Sequence, residues 1–146
     1  MTSARENPSY PIVCAGAVVF RGQEVLLIRR GKAPREDEWS IPGGRQELGE
    51  TIAETAVREV KEETGLDIRL GSLLDVVNFI DRNGDGGVRF HYTLVDFVAE
   101  ADGGDLAAGT DARDARFFSL DEALKLPLWE ETRRIIGMAA AVRRLR

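Results

Sequence analysis

The sequence predicts an α/β fold within a single domain, and three observations carry that prediction. Apolar, β-branched runs of strand length recur on both sides of one well-marked helix. A second helical stretch closes the chain, and 146 residues lie within the usual span of one domain. No internal repeat, low-complexity tract or linker divides the chain. With 43% hydrophobic and 31% charged residues, there is enough apolar material for a core without disulfides or a structural metal.

Taken in order, residues 1–9 are polar and expected to fray. Ile12 to Phe20 is β-branched and apolar, Arg21-Gly22-Gln23 suits a turn, and Glu24 to Arg29 reads as the second strand of a hairpin. The lone cysteine, Cys14, falls in the first run and reads as a buried free thiol. Pro11 to Phe20 has the length of a short secretory core, but Glu6 and only Arg5 precede it, so it is assigned to a strand. The expected location is the cytoplasm. Gly31 to Glu38, charged and containing Pro34, reads as a loop, and Trp39 to Gly44 leads into an acidic segment. Ile52 to Thr64 is the best-marked helix: Thr51-Ile52-Ala53-Glu54 has the form of a capping box, and Gly65 fits the left-handed stop. Ala53, Ala56, Val57 and Val60 supply its expected apolar face. Leu73 to Ile80 and Val88 to Ala99 read as strands about a tip at Asp81 to Gly87. Ala101 to Arg113 reads as a polar loop and Ala115 to Ser119 as a short strand. A helical turn begins at Ser119 or Leu120, and Pro127 is expected to open the final helix.

Charge narrows the partners. A net charge of −5 argues against nucleic-acid polymers, and no apolar run approaches the roughly 20 residues that span a bilayer. A small anionic substrate stays compatible, provided that something cationic brings it to the carboxylates.

On a helix, each residue advances by about 100°, so Glu62 lies about 60° to one side of Glu59 and Glu63 about 40° to the other. The three carboxylates share a face from which Lys61 points away, and Arg58 alone cannot balance them. A hard divalent cation would turn this repulsion into binding. For three glutamates alone, a solvated acidic face is the ordinary explanation.

The wider pattern displaces that explanation. Gly44, five residues, Glu50, seven residues, then Arg58-Glu59-Val60-Lys61-Glu62-Glu63-Thr64-Gly65-Leu66 resembles the Nudix box, G-x5-E-x7-R-E-U-x-E-E-x-G-U, at every specified position. Chance agreement at average residue frequencies is on the order of one in ten million. Trp39-Ser40-Ile41-Pro42-Gly43-Gly44 also resembles the family's lead-in. The resemblance implies a Nudix-type α/β/α sandwich with a mixed central sheet, and hydrolysis of nucleoside diphosphates linked to another group, with Mg2+ or Mn2+. It implies Glu59, Glu62 and Glu63 as metal ligands, the Gly43 carbonyl as a further ligand in some members, and an Arg58–Glu50 salt bridge that orients the catalytic helix. Glu63 or Glu62 is the expected general base. In parts of the family a later loop supplies a ligand or base, and Asp111 and Asp114 are the candidates, against a plain reading as turn aspartates. The family is often dimeric, which leaves a homodimer open.

Other residues carry less. His91 reads as a packing histidine, Trp39 either stacks on a base or packs under the box loop, and Trp129 is either core or a dimer contact. Phe79, Phe90 and Phe97 read as core, while Arg29, Arg30 and Lys32 either meet phosphates or remain solvated. Neither the proline nor the tyrosine that marks some substrate classes of the family is present: Asp81 and Arg82 to Gly84 stand there instead. An ADP-ribose-like substrate is favoured. A nucleoside triphosphate pyrophosphohydrolase and a non-catalytic nucleotide sensor are the alternatives.

Overall fold

The long apolar run at the start of the chain behaves as a strand buried on both faces. The computed structural model describes residues 6–144. The elements in chain order are β1 (Ile12–Arg21), β2 (Glu24–Arg30), β3 (Trp39–Ser40), β4 (Gly43–Arg45), α1 (Ile52–Thr64), β5 (Leu66–Arg82), β6 (Val88–Gly104), β7 (Ala112–Ser119), α2 (Leu120–Lys125) and α3 (Glu130–Arg144). One mixed seven-stranded sheet runs β3-β2-β1-β6-β5, with β4 added to β1 and β7 to β2. The β1–β6 pair is parallel, from Ile12 opposite Tyr92 to Phe20 opposite Glu100.

Alternation along β1 divides the core into two layers. Ala17 and Val19 pack with Val60 of α1, while Val18 and Phe20 pack with Ile135, Ile136 and Ala139 of α3 and Ala123 of α2. Helices therefore cover both faces of the sheet, as the resemblance implied. The hairpin of β1 and β2 pairs only beside its turn, at Phe20–Val25 and Arg21–Glu24. Beyond that point the strands part: β1 takes β4 as partner at Cys14 to Gly16, and β2 takes β3 at Ile28 and Arg29. This parting opens the sheet and leaves the Gly43-Gly44 backbone half-buried at the gap.

Several boundaries differ from expectation. Strand β5 begins at Leu66, seven residues before the expected Leu73, and β6 continues through Gly104 into what read as loop. The missed segment alternates Leu66, Ile68 and Leu70 with Asp67 and Arg69, and register shifts near Leu70 to Asp75 broke the pattern. β7 begins at Ala112, three residues before the expected Ala115. Pro127 does not open the last helix, which starts at Glu130. Leu126 is extended before the proline, and Leu128 is buried, so this stretch packs a side chain before the helix begins. Of the leading residues expected to fray, 1–5 lie outside the described residues, and Asn7 donates its amide to the Arg89 carbonyl at 2.8 Å.

Candidate active site

Helix α1 forms as its sequence dictates. Thr51 accepts from the Glu54 amide while Glu54 accepts from the Thr51 amide, and Gly65 ends the helix at φ 77°. Its buried face is turned from the expected one. Ala53 and Val57 are exposed, and Thr55, Ala56, Val60, Glu63 and Thr64 are buried. The rotation exchanges an apolar Val57 contact for the burial of a carboxylate.

Glu63 is 9% exposed and accepts a hydrogen bond from the Gly43 amide at 2.7 Å. Burial pushes its carboxyl up to about 8; the Gly43 amide and Arg30 oppose the rise, and Glu59 and Asp111 add to it. Glu59, Glu63 and Asp111 line one small cavity of about 40 Å3 together with Arg30, Lys32, Gly43 and Gly44. A side chain at Gly43 would collide with the Ala15 carbonyl and the Gly16 backbone, so glycine is required there, and one at Gly44 would push the Glu59 carboxylate aside.

Asp111 reaches the cavity because its loop docks on the end of α1. The amides of Ala107 and Gly109 donate to the Thr64 and Glu63 carbonyls, each at 2.9 Å, satisfying orphan acceptors of the helix. Lys32 pairs with Asp111 at 2.9 Å. Asp114 is not brought in: it sits in β7, bonded to Arg116 at 2.8 Å. Glu62 also stands outside the cavity, its side chain 56% exposed and 3.2 Å from Arg58. The shared face of three glutamates thus resolves into two that converge and one at the rim.

Arg58 organises the acidic helix. Its Nε lies 2.5 Å from Glu50, and Nη1 lies 2.8 Å from Glu59. Nη2 donates to the Arg45 carbonyl at 2.9 Å and to Glu50 at 3.0 Å. The guanidinium thereby ties α1 to the loop and to β4. It holds the Glu50 carboxyl down to about 2, helped by the Glu47 amide and the Thr55 hydroxyl. The Arg58–Glu50 pair that the resemblance implied is therefore formed.

A second cavity, of about 140 Å3, opens on the opposite side of Gly43-Gly44. Trp39, Ile41, Val77, Phe79, Tyr92, Leu94 and Trp129 give it apolar walls, and Arg30 lines both cavities. Trp39 packs edge-on against Phe118 of β7 at 5.0 Å while lining this space. Trp129 meets Phe79 edge-on at 5.4 Å and belongs to the cavity wall. Arg35 stacks on both rings, 5.0 Å from Trp129 and 5.6 Å from Phe79. His91 lines neither cavity. Sequence reasoning missed Asp96, a buried carboxyl in the wall of the larger cavity. Its signal was an acid inside the apolar run Leu94-Val95-Asp96-Phe97-Val98.

Among the described residues, no three carboxylate, imidazole or thiolate side chains are drawn into a finished metal shell. The donors of the small cavity nevertheless fit a hard divalent cation: they are carboxylate oxygens, one of them buried and destabilised as an anion. Among the described residues, no helix is long and apolar enough to cross a membrane.

Comparison with known proteins agrees with this geometry. The family model for the NUDIX domain matches residues 11–137. An ADP-ribose pyrophosphatase of Methanocaldococcus jannaschii is 39% identical over 117 residues, covering 80% of this chain and 67% of the relative. A human 8-oxo-dGDP phosphatase is 39% identical over 109 residues, 74% of this chain but only 30% of the relative. Thus the chain spans about two thirds of one relative and under a third of the other. A MutT NUDIX hydrolase structure from Burkholderia pseudomallei superposes with a TM-score of 0.76 at 30% identity, covering 89% of this chain and 98% of that one. The NUDIX domain of Shewanella oneidensis NrtR, solved with ADP ribose, gives 0.73 at 23% identity, over 94% and 90% of the two chains. The complete box, the sheet opened at Gly43-Gly44 and a family match over most of the chain lead to one conclusion: this protein belongs to the Nudix hydrolase family.

Proposed function

We propose that the protein hydrolyses a phosphoanhydride bond in a nucleoside diphosphate linked to another group, with an ADP-ribose-like substrate favoured. The observation that carries this reading is the meeting of two unlike cavities at Gly43-Gly44. One is apolar and aromatic, the other small and acidic, and Arg30 lines both. A flat nucleoside suits the first and a diphosphate with its counter-ion the second. The relative named for ADP-ribose hydrolysis supports the substrate class, although the family's proline marker is absent.

Glu59, Glu63 and Asp111 would hold Mg2+ (or Mn2+), with the Gly43 carbonyl as a further ligand and Glu62 able to swing in from the rim. The cation supplies charge neutralisation at the diphosphate oxygens and acidifies water. The remaining work falls to the chain. Arg58 and Glu50 fix the pose of α1, and Arg30 and Lys32 offer cationic contacts to phosphate. Glu63, in the wall of the small cavity where Glu62 stands outside it, is the better placed of the two expected bases to take a proton from attacking water. One P–O bond forms from water, one bridging P–O bond breaks, and two phosphomonoesters leave with release of the proton.

Hydrolysis of a panel of nucleotides with product identification tests the reading. AMP and ribose 5-phosphate from ADP-ribose are expected. A monophosphate plus pyrophosphate from a triphosphate would instead support the nucleotide-pool reading, which the 8-oxo-dGDP phosphatase relatives also favour. Binding without turnover would point to a sensor, but all box glutamates are retained. The outer edge of β5, with Leu73, Val76 and Ile80 exposed, is the surface on which a homodimer would be sought.

A further inference from the structure

Asp96 is 6% exposed and forms part of the wall of the larger cavity. It makes no hydrogen bond or ion pair with any described residue; its electrostatic neighbours are Asp75, opposite it on β5, and Arg134 on α3. Alternation on β6 turns Asp96 to the α3 side of the sheet with Val98, whereas Phe97 faces α1. Opposite Asp96 on β1 stands Gly16, where a Cβ would lie only 3.0 Å from the Asp96 Oδ1 and from the Pro42 carbonyl. The missing side chain keeps the ground in front of this carboxyl open. Thr132 of α3, also buried, adds a hydroxyl to the same wall.

A buried carboxyl in the wall of an aromatic cavity, with no hydrogen-bond partner among the described residues, leaves its oxygens available to a ligand. Trp39, Phe79 and Trp129, the last two capped by the Arg35 guanidinium, wall a space in which a planar base fits with its edge left for polar contact. We propose that Asp96 reads the hydrogen-bonding edge of the nucleobase, accepting from an exocyclic amino group of a purine. The inference rests on the nucleotide reading above and adds to it a specificity residue outside the Nudix box. Burial pushes this carboxyl up to about 7. In its neutral form the group can also donate to the ring nitrogen beside the amine, which suits the adenine edge.

The test uses both tryptophans of the chain, Trp39 and Trp129, which line the cavity and report ligand binding by fluorescence. AMP is titrated against purine riboside 5′-monophosphate, which lacks only the amino group, in the wild-type protein, Asp96→Asn and Asp96→Leu. Wild type should bind AMP about 10–100-fold more tightly than the amino-free analogue. Asp96→Leu should reduce that preference to within about twofold, and Asp96→Asn, which keeps one acceptor and the shape, should retain part of it. Equal binding of the two nucleotides by wild type, or a preference that survives in Asp96→Leu, overturns the proposal. Urea unfolding of each variant verifies the fold. If AMP is preferred through Asp96 but no nucleotide is hydrolysed, the activity reading fails and this one stands.

Discussion

Replacing Asp96 by Asn should shift the stability balance towards the variant as pH rises. Burial raises the carboxyl to about 7 from an ordinary 3.8, a gap of about three units. Each unit is worth about 1.4 kcal/mol, so holding the anion in the folded state costs about 4 kcal/mol once both states are ionised. The direction follows from which state loses its proton first. As pH rises past about 4, the unfolded chain ionises while the folded carboxyl stays neutral, so stability falls; above about 7 the penalty is constant. At pH 5 the penalty is about 2 kcal/mol. Asparagine removes it but introduces an unsatisfied amide, at about 1–3 kcal/mol that does not vary with pH. Comparing two pH values cancels that constant, and it cancels the raised Glu63, which is present in both proteins. The stability difference between Asp96→Asn and wild type should therefore move by about 2–3 kcal/mol towards the variant from pH 5 to pH 8. Urea denaturation at both pH values, with unchanged m, measures it. A pH-independent difference would mean that Asp96 is hydrated or paired, and the argument from its isolation would fail.

Further outcomes follow from the box. Glu63→Gln should lose at least about a thousandfold in turnover while its thermal unfolding midpoint is kept or raised, because a neutral amide replaces a buried acid. Near-wild-type rates would remove Glu63 from its role. Magnesium should raise the midpoint of the wild-type protein and leave that of the Glu59→Gln, Glu63→Gln double variant unchanged; equal shifts in both would place the cation elsewhere. Arg58→Lys keeps a charge but loses the fork that spans Glu50 and Glu59, so kcat should fall about tenfold with little change in KM. Thr51→Ala removes the cap over Glu54 and should cost about 1 kcal/mol by urea unfolding without altering kcat.

Much of this was legible because short-range physics decides it. The cap at Thr51, the stop at Gly65 and the box spacing depend on neighbours along the chain, and α1 begins and ends where they placed it. What escaped depends on residues far apart. The exact heading of α1 could not be read, since apolar periodicity favoured burying Val57, whereas packing buries Thr55 and Glu63. Asp111 was separable from Asp114 only by the docking of its loop on α1. Likewise Trp129 joined the cavity because the extended stretch at Pro127 delivers it there, where a helix from Pro127 would have aimed it differently.

The two acids that burial raises most clearly, Glu63 and Asp96, lie on opposite sides of the backbone that runs through Gly43-Gly44. Among the described residues, neither has a basic partner in hydrogen-bond reach that would offset its desolvation; Glu63 has an amide there, and Asp96 has no hydrogen-bond partner. A fold selected for stability alone would replace both with apolar residues of similar size. Glu63 is explained by the box. Asp96 lies outside it, in a strand whose neighbours Val95, Phe97 and Val98 obey the apolar pattern, so the same reasoning assigns it to the ligand. The opened sheet then has a clear chemical logic. On the proposed reading, carboxylates on the α1 side would face the phosphates and the α3 side would hold the base between aromatic walls.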